Sequence, residues 1–297
     1  MFNFKKSNLE KLIKFIKKSD NKLSTEDKEK IIKLIKPAIG IFTKKLEFDS
    51  LKIGKSKIGG KPDLPKDFTW PKVNNSDLIF CAQYNISELK IFDKEDILPK
   101  KGMFYIFIGI DEEWNGFSIN QKDSKIFYIE NLLNLERKEF PISLSEERKI
   151  EPAEIQFFEN LTIPDDENYK LFYFNDKYED FYYDFYQDTN EYILEELNGF
   201  MDNMHQILGE DKSVQSSVVY EFSRNELNIK NDDEYTEKWN EILENSKSFS
   251  SLIQLDCYDS NTNLSKFGGS GVFYIGLKTE ELKNLNFENL KISFQTT

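Results

Sequence analysis

A single histidine, His205, stands in the chain of 297 residues, and it is the first place to look for acid–base chemistry because imidazole titrates near neutrality. With no second imidazole, the common zinc sets and paired-histidine metal motifs are excluded. Next to Leu208 and Gly209, His205 reads as a structural or capping residue, with a general base as the alternative. Asp256 and Asp259, close to Gln254, offer oxygen ligands to a hard cation. Two acids at i, i+3 carry no further pattern, so Asp256 reads as ordering the turn that follows it. The run Gly268-Gly269-Ser270-Gly271 leads into a strand pattern and lacks the phosphate-loop lysine, which makes it a tight turn and not a phosphate cradle. Ser56, near Gly59 and Gly60, lacks the flanking glycines of a nucleophile elbow. Cys81 and Cys257 have no cationic neighbour in sequence to activate a thiol, and two cysteines are too few for a disulfide scaffold. The sequence therefore nominates no catalytic residue, no cofactor and no metal, and it leans away from an enzyme.

The elements that would hold these residues follow from capping and periodicity. Ser7 with Glu10 forms a capping box ahead of apolar residues at helical spacing, predicting a helix over 8–18. Ser24 with Asp27 repeats the device, and Pro37 is expected to end that second helix. Strand patterns follow at 39–42 and 46–53. Residues 56–71 hold two Gly, three Pro and Trp70, a constrained path that must wrap over other structure. Buried strands are predicted at 78–84 and 103–110, a further strand at 126–130, and others at 218–222, 252–258, 272–277 and 291–295, with an amphipathic helix near 234–245. Without regular βαβ alternation, the fold class is α+β, with mostly antiparallel or mixed sheets from two related strand units and two N-terminal helices packed on the body.

Residues 1–36 carry 11 Lys against 5 acids, whereas the net charge of the whole is −13, leaving −19 on the remainder. The division is a helical segment over 1–36 and a single body over 37–297. Such a balance excludes general affinity for nucleic acid, and no run is long enough to span a bilayer. The lysine-rich first helix reads as packing on the body, with a membrane surface as the minor alternative. No secretory signal is visible, and a cytoplasmic protein is expected.

Residues 151–200 hold 14 acids, 2 Lys and 14 aromatics. Phe174, Tyr178, Phe181, Tyr182 and Phe185 fall on one helical face, which reads first as core. Tyr183 and Tyr186 fall off that stripe, among Asp180, Asp184 and Asp188, and form a candidate acidic aromatic surface for a basic protein.

The runs 78–84 and 252–258 both open with Leu-Ile and close on Tyr, and each is followed by Gly-x-Phe-Tyr-Ile, at Gly102 and at Gly271. A duplicated unit over about 50–150 and 200–297 follows, with a cleft between the halves as a ligand site.

The pattern Ser56-x-Ile58-Gly59-Gly60-x-Pro62-x-Leu64-Pro65 with Trp70-Pro71, the strand ending at Gln83, Leu98-Pro99-x-x-Gly102, His205-x-x-Leu208-Gly209 with Gln215, and Leu252 to Asp256 with Phe267-Gly268-x-x-Gly271 resembles the YwqG-like family of bacterial proteins, a domain of unknown function. It covers residues 50–297 at intervals. Phe267-Gly268-Gly269 replaces that family's usual Trp-Gly-Asp, and no Pro follows Leu208-Gly209 closely. The resemblance implies a family and no reaction. The candidate cleft residues are Gly59, Gly60, Pro62, Trp70, Gln83, His205, Gln215, Gln254 and Asp256. The reading is a soluble, acidic, non-enzymatic binding protein, immunity- or adaptor-like, engaging a basic protein. The alternative is an enzyme or small-molecule binder using the cleft.

Overall fold

The computed structural model describes residues 7–19, 22–47, 50–113, 116–178, 181–199 and 205–296. Helix α1 (Asn8–Lys18) starts on the expected capping box, with the Ser7 hydroxyl accepting from Glu10 N–H and the Glu10 carboxylate accepting from Ser7 N–H. Helix α2 (Thr25–Ile32) is capped by Ser24. It stops well before Pro37, which belongs instead to strand β1 (Lys36–Lys45). Proline is tolerated there for a geometric reason. Ile41 N–H bonds His205 O, so odd-numbered residues of β1 turn their N–H toward the strand that pairs only at Ile39 and Gly40, and Pro37 lies beyond its end.

The remaining sheet strands are β2 (Lys57–Ile58), β3 (Ile79–Asn85), β4 (Met103–Ile108), β5 (Ser124–Ile129), β6 (Ala153–Thr162), β7 (Gln206–Ile207), β8 (Phe249–Asp256), β9 (Val272–Lys278) and β10 (Lys291–Gln295). They form one antiparallel sheet in the order β5-β4-β3-β2-β6-β1-β7-β8-β9-β10. With the helices, this is an α+β fold. The order reads alike from both ends: a central pair, then a two-residue strand, a bulged strand, a glycine-led strand and an edge strand on each side. Phe42 and Gln156 face each other at the centre of the β1–β6 pair, and the pseudo-two-fold runs beside them.

The halves match in register through Gln83 and Gln254, and the bulges fall at matching places, between Phe80 and Ala82 and between Ser251 and Ile253. Cys81, not Leu78, occupies the place of Leu252: Gly59 N–H bonds Cys81 O at 2.7 Å as Leu208 N–H bonds Leu252 O at 3.1 Å. The two Leu-Ile openings therefore do not correspond.

Inner faces of both halves meet in one core. Phe117 stacks on Phe267 with centroids 5.2 Å apart and lies 5.4 Å from Phe273, and Phe104 meets Phe287 edge-on at 5.2 Å. Phe104, Phe117 and Phe273 are fully buried, and each such ring contributes about 2–3 kcal/mol by removal from water. The outer face is covered by separate layers. Phe68 and Trp70 pack over Phe80, Tyr105 and Phe107 in the first half. Helices α3 (Val218–Glu226), α4 (Asp232–Glu237) and α5 (Trp239–Ser246) cover Phe249, Val272 and Tyr274 in the second.

Three stretches differ from expectation. Among the described residues of 46–53 there is no strand, residues 48 and 49 lying outside them. The segment 218–222 is helical despite its β-branched and aromatic residues, because helical spacing puts buried Val218 and Phe222 on one face, Phe222 against Phe249 of the sheet, and turns Tyr220 to Trp239. The acidic segment contributes β6 and then a helix, Phe172–Lys177, broken at Tyr178, whose backbone is extended. The chain then resumes with π-helical winding over Tyr182–Gln187 and Tyr192–Asn198.

Candidate functional site

The first half is organised around a buried carboxylate. Asp63, with no exposed surface, accepts from Arg137 Nε at 2.9 Å, from Gln83 Nε2 at 2.9 Å and from Gly54 N–H at 2.9 Å. Buried Lys57 stands 3.9 Å from the same carboxylate and donates to Lys61 O. Arg137 arrives on a short strand, Leu135–Arg137, that pairs with Asp63–Pro65. Every charge here meets an opposite charge or a hydrogen bond, as burial requires.

The second half repeats the frame with different side chains. Gln206 donates to Glu210 O at 2.7 Å where Lys57 donates to Lys61 O. Gln254 accepts from Lys212 N–H at 3.2 Å where Gln83 accepts from Asp63 N–H at 2.8 Å. Tyr274 and Tyr105 donate to Lys212 O and Asp63 O, both at 2.6 Å. Consecutive left-handed residues lead out of each short strand, Gly59-Gly60 in one half and Leu208-Gly209 in the other. Lys212 thus replaces Asp63. Around it, Glu210 binds Lys36 at 2.6 Å and Lys170 at 2.6 and 2.8 Å. Buried Asp211 lines a polar cavity of about 30 Å³ shared with Glu210, Lys170 and Ser251. Burial pushes the Asp165 and Asp211 carboxyls up to about 7 and the Lys212 ammonium down to about 8.

His205 is buried at the start of β7, between β1 and β8. Its Nδ1 accepts from Asp256 N–H at 3.0 Å, which leaves Nε2 as the protonated nitrogen, 3.2 Å from Asp259 Oδ2. Thr43 donates to the same oxygen at 2.5 Å. Ser56 holds the matching place, accepting from Asn85 N–H at 2.7 Å. The arrangement locks one tautomer and ties β1, β7 and the 256–259 turn together.

The nine cleft residues do not line one pocket. Gln83 and Gln254 are five strand positions apart, each beneath its own outer layer. Gly59, Gly60 and Pro62 are buried, and Trp70 anchors the wrap through Nε1 to Leu78 O at 2.9 Å and an edge contact with Phe107. His205, Gln254 and Asp256 are neighbours on β7 and β8, whereas Gln215 is exposed and held by Gln295. A groove of about 480 Å³ beside Ser56, lined by Lys52, Lys55, Glu88, Glu154 and Gln156, takes in none of the nine.

Of the acidic aromatic set, Asp180 and the Tyr183 side chain lie outside the described residues. Tyr186 is buried with Phe181 and Phe185, because i→i+5 winding brings it onto their side. Asp184 pairs with Lys22 at 3.6 Å, and Asp188 is exposed. A different corner combines acids with rings. Tyr235 and Tyr220 both contact Trp239, with centroids 5.7 and 5.0 Å apart. The charges of Glu167 and Glu221 act on Tyr235. Partial burial raises the Asp166 and Glu167 carboxyls, and neither forms an ion pair among the described residues. Sequence reasoning missed this corner because it joins residues 165–167 to α3 and α4, and no spacing reports such a contact. Among the described residues, no group of three His, Cys, Asp or Glu is placed to hold a metal ion, and no helix is long and apolar enough to cross a membrane.

The fold and its paired polar hubs define an α+β domain built on a pseudo-two-fold sheet. The chain belongs to the family described as a domain of unknown function (DUF1963), whose model matches residues 56–295, consistent with the YwqG-like resemblance. No curated protein matches it.

Proposed function

We propose that this is a cytoplasmic, non-enzymatic acidic binding protein, immunity- or adaptor-like, that engages a basic protein through the corner formed by residues 165–167, α3 and α4. The observation that carries the reading is a placement: half-buried Asp166 and exposed Glu167 form no ion pair among the described residues, and Glu167 lies near enough for its charge to act on Tyr235, whose ring contacts Trp239. A lysine or arginine brought by a partner relieves both carboxylates and packs its stem on the rings. The Arg224 guanidinium, 5.4 Å from the Tyr235 ring centroid, shows one such cation already stacked there. The acidic balance of the body steers a basic partner toward this face.

The test is capture from native cytosol at low and moderate salt with the full chain and with the Asp166→Asn/Glu167→Gln variant. A basic partner whose affinity drops about tenfold in the variant, and falls with salt, supports the reading. A partner bound equally by both proteins removes the corner from the interface, and binding indifferent to salt removes the basic-partner reading.

A further inference from the structure

Strand β6 has an open side in the first half that its counterpart, β1, closes in the second. Ile41 N–H faces β7, so even-numbered residues of β1 face β6, and the register sets Phe42 opposite Gln156. Even-numbered residues of β6 therefore bond β1, while Ile155 and Phe157 turn their main-chain groups toward β2. Strand β2 reaches only Ala153 and Glu154. The pseudo-two-fold that relates Phe42 to Gln156 makes Ile155 the counterpart of Ile41, as Ser56 is that of His205. Ile41 N–H bonds His205 O at 3.2 Å, whereas among the described residues no backbone bond joins Ile155 N–H to Ser56 O, and none reaches Phe157 N–H or O from that side.

The difference follows from what holds Ser56. Its N–H donates to Glu88 Oε2 at 3.1 Å and its hydroxyl accepts from Asn85 N–H at 2.7 Å, which ties it to residues 85–88. The groove of about 480 Å³ beside Ser56 opens where β2 and β6 part, with Ile155 and Phe157 in its wall. Its volume is that of an ordinary ligand cleft and far exceeds what one water needs. Lys55 is paired with Glu88 at 2.6 Å, and Lys52 and Glu154, which form no ion pair among the described residues, bring the rim to two charges of each sign. The rim therefore favours neither a small cation nor a small anion. What the groove offers is neutral: main-chain donors and acceptors on every second residue of an extended strand, the pattern that a further strand complements.

We propose that this groove receives an extended peptide segment of another protein, which pairs with the main chain of Ile155 and Phe157 as an added strand, with an acidic residue toward Lys52 and a basic one toward Glu154. The groove lies in the first half, the acidic corner over the second, so the proposal stands independently of that corner.

The experiment is amide hydrogen exchange of the full chain, read residue by residue by NMR, first alone and then with peptides selected on it from a random phage-displayed library. Alone, the Ile155 and Phe157 amides should exchange at least about tenfold faster than those of Gln156 and Phe158, which β1 holds. A selected peptide should slow Ile155 and Phe157 by about tenfold, and N-methylation of its main chain should weaken binding about tenfold at one position or more. Equal protection of the four amides in the free chain overturns the open edge. The proposal is equally overturned if no selected peptide protects Ile155 and Phe157, or if the binding of those that do ignores N-methylation at every position.

Discussion

Gln83 and Gln254 occupy one position in two halves of a single sheet: each side-chain carbonyl accepts a backbone N–H, from Asp63 at 2.8 Å and from Lys212 at 3.2 Å, and each of those residues also receives a tyrosine hydroxyl. The same frame therefore holds a buried carboxylate bonded to Arg137 and Gln83 in one half and, in the other, a lysine beside buried acids of which Asp165 and Asp211 each keep one oxygen without a hydrogen bond.

Gln83 bonds Lys55 O and the Asp63 carboxylate as well as Asp63 N–H. Gln83→Leu leaves buried groups unpaired and should cost roughly 3 kcal/mol. Gln83→Glu should cost more, because it turns a donor to Asp63 into a second carboxylate. Urea unfolding of the two variants checks the order, and a Gln83→Glu protein as stable as Gln83→Leu would mean that the Asp63 charge is not held there.

Arg137 is the closest cation to Asp63, which is fully buried. Arg137→Met strands most of that charge and should destabilise by about 3–5 kcal/mol. Adding Asp63→Asn removes the stranded charge, so the double variant should be more stable than Arg137→Met alone. Equal losses in the single and double variants would contradict an ion-pair role.

Asp165 and Asp211 set a pH dependence. Burial pushes both carboxyls up to about 7 from the ordinary 3.8, so between these limits the folded chain binds more protons than the unfolded one. Stability contributed by these groups is fully present below the unfolded value and is lost as pH rises through about 7. The neighbouring charges are Glu210, which raises the Asp211 carboxyl further, and Lys170 and Lys36, which oppose it. Chemical denaturation should show this decline between about pH 4 and about pH 7 and a plateau above it, and Asp165→Asn/Asp211→Asn should flatten it. A decline of unchanged slope in the variant would assign it to other groups.

Local signals were the legible ones. The Ser7–Glu10 box places α1 because a cap is decided within four residues, and the apolar runs of β3, β4, β8 and β9 announce strands buried on both faces. Strand β6 was hidden because acids on its outward positions, such as Glu154, made it look like part of one acidic segment. The five-ring stripe failed at Tyr178, whose extended backbone ends one helix before the next begins, while its hydroxyl reaches buried Asp27. The repeat was visible, but the Leu-Ile match set its register three residues off. Aligning Gly59-Gly60 with Leu208-Gly209 pairs Asp63 with Lys212 and would have drawn attention to Glu210 and Asp211. Asp165, Arg137 and Glu167 reach their sites only through tertiary contacts.

The Gly59-Gly60 pair now has a physical requirement that can be tested. Gly59 has φ +62°, and a Cβ there would sit 2.3 Å from Glu151 O and 2.6 Å from Ile150 Cγ2. Gly59→Ala therefore combines left-handed backbone strain with a clash against main chain, and should destabilise by more than about 2 kcal/mol. Gly199 also has positive φ, +78°, in the left-handed region, but open space around its Cβ. Gly199→Ala should lose only the conformational term, about 1 kcal/mol. Chemical denaturation of both variants separates the two contributions. If the two losses were equal, crowding by the 150–151 backbone would have no part in requiring glycine at 59, and backbone conformation alone would explain the motif.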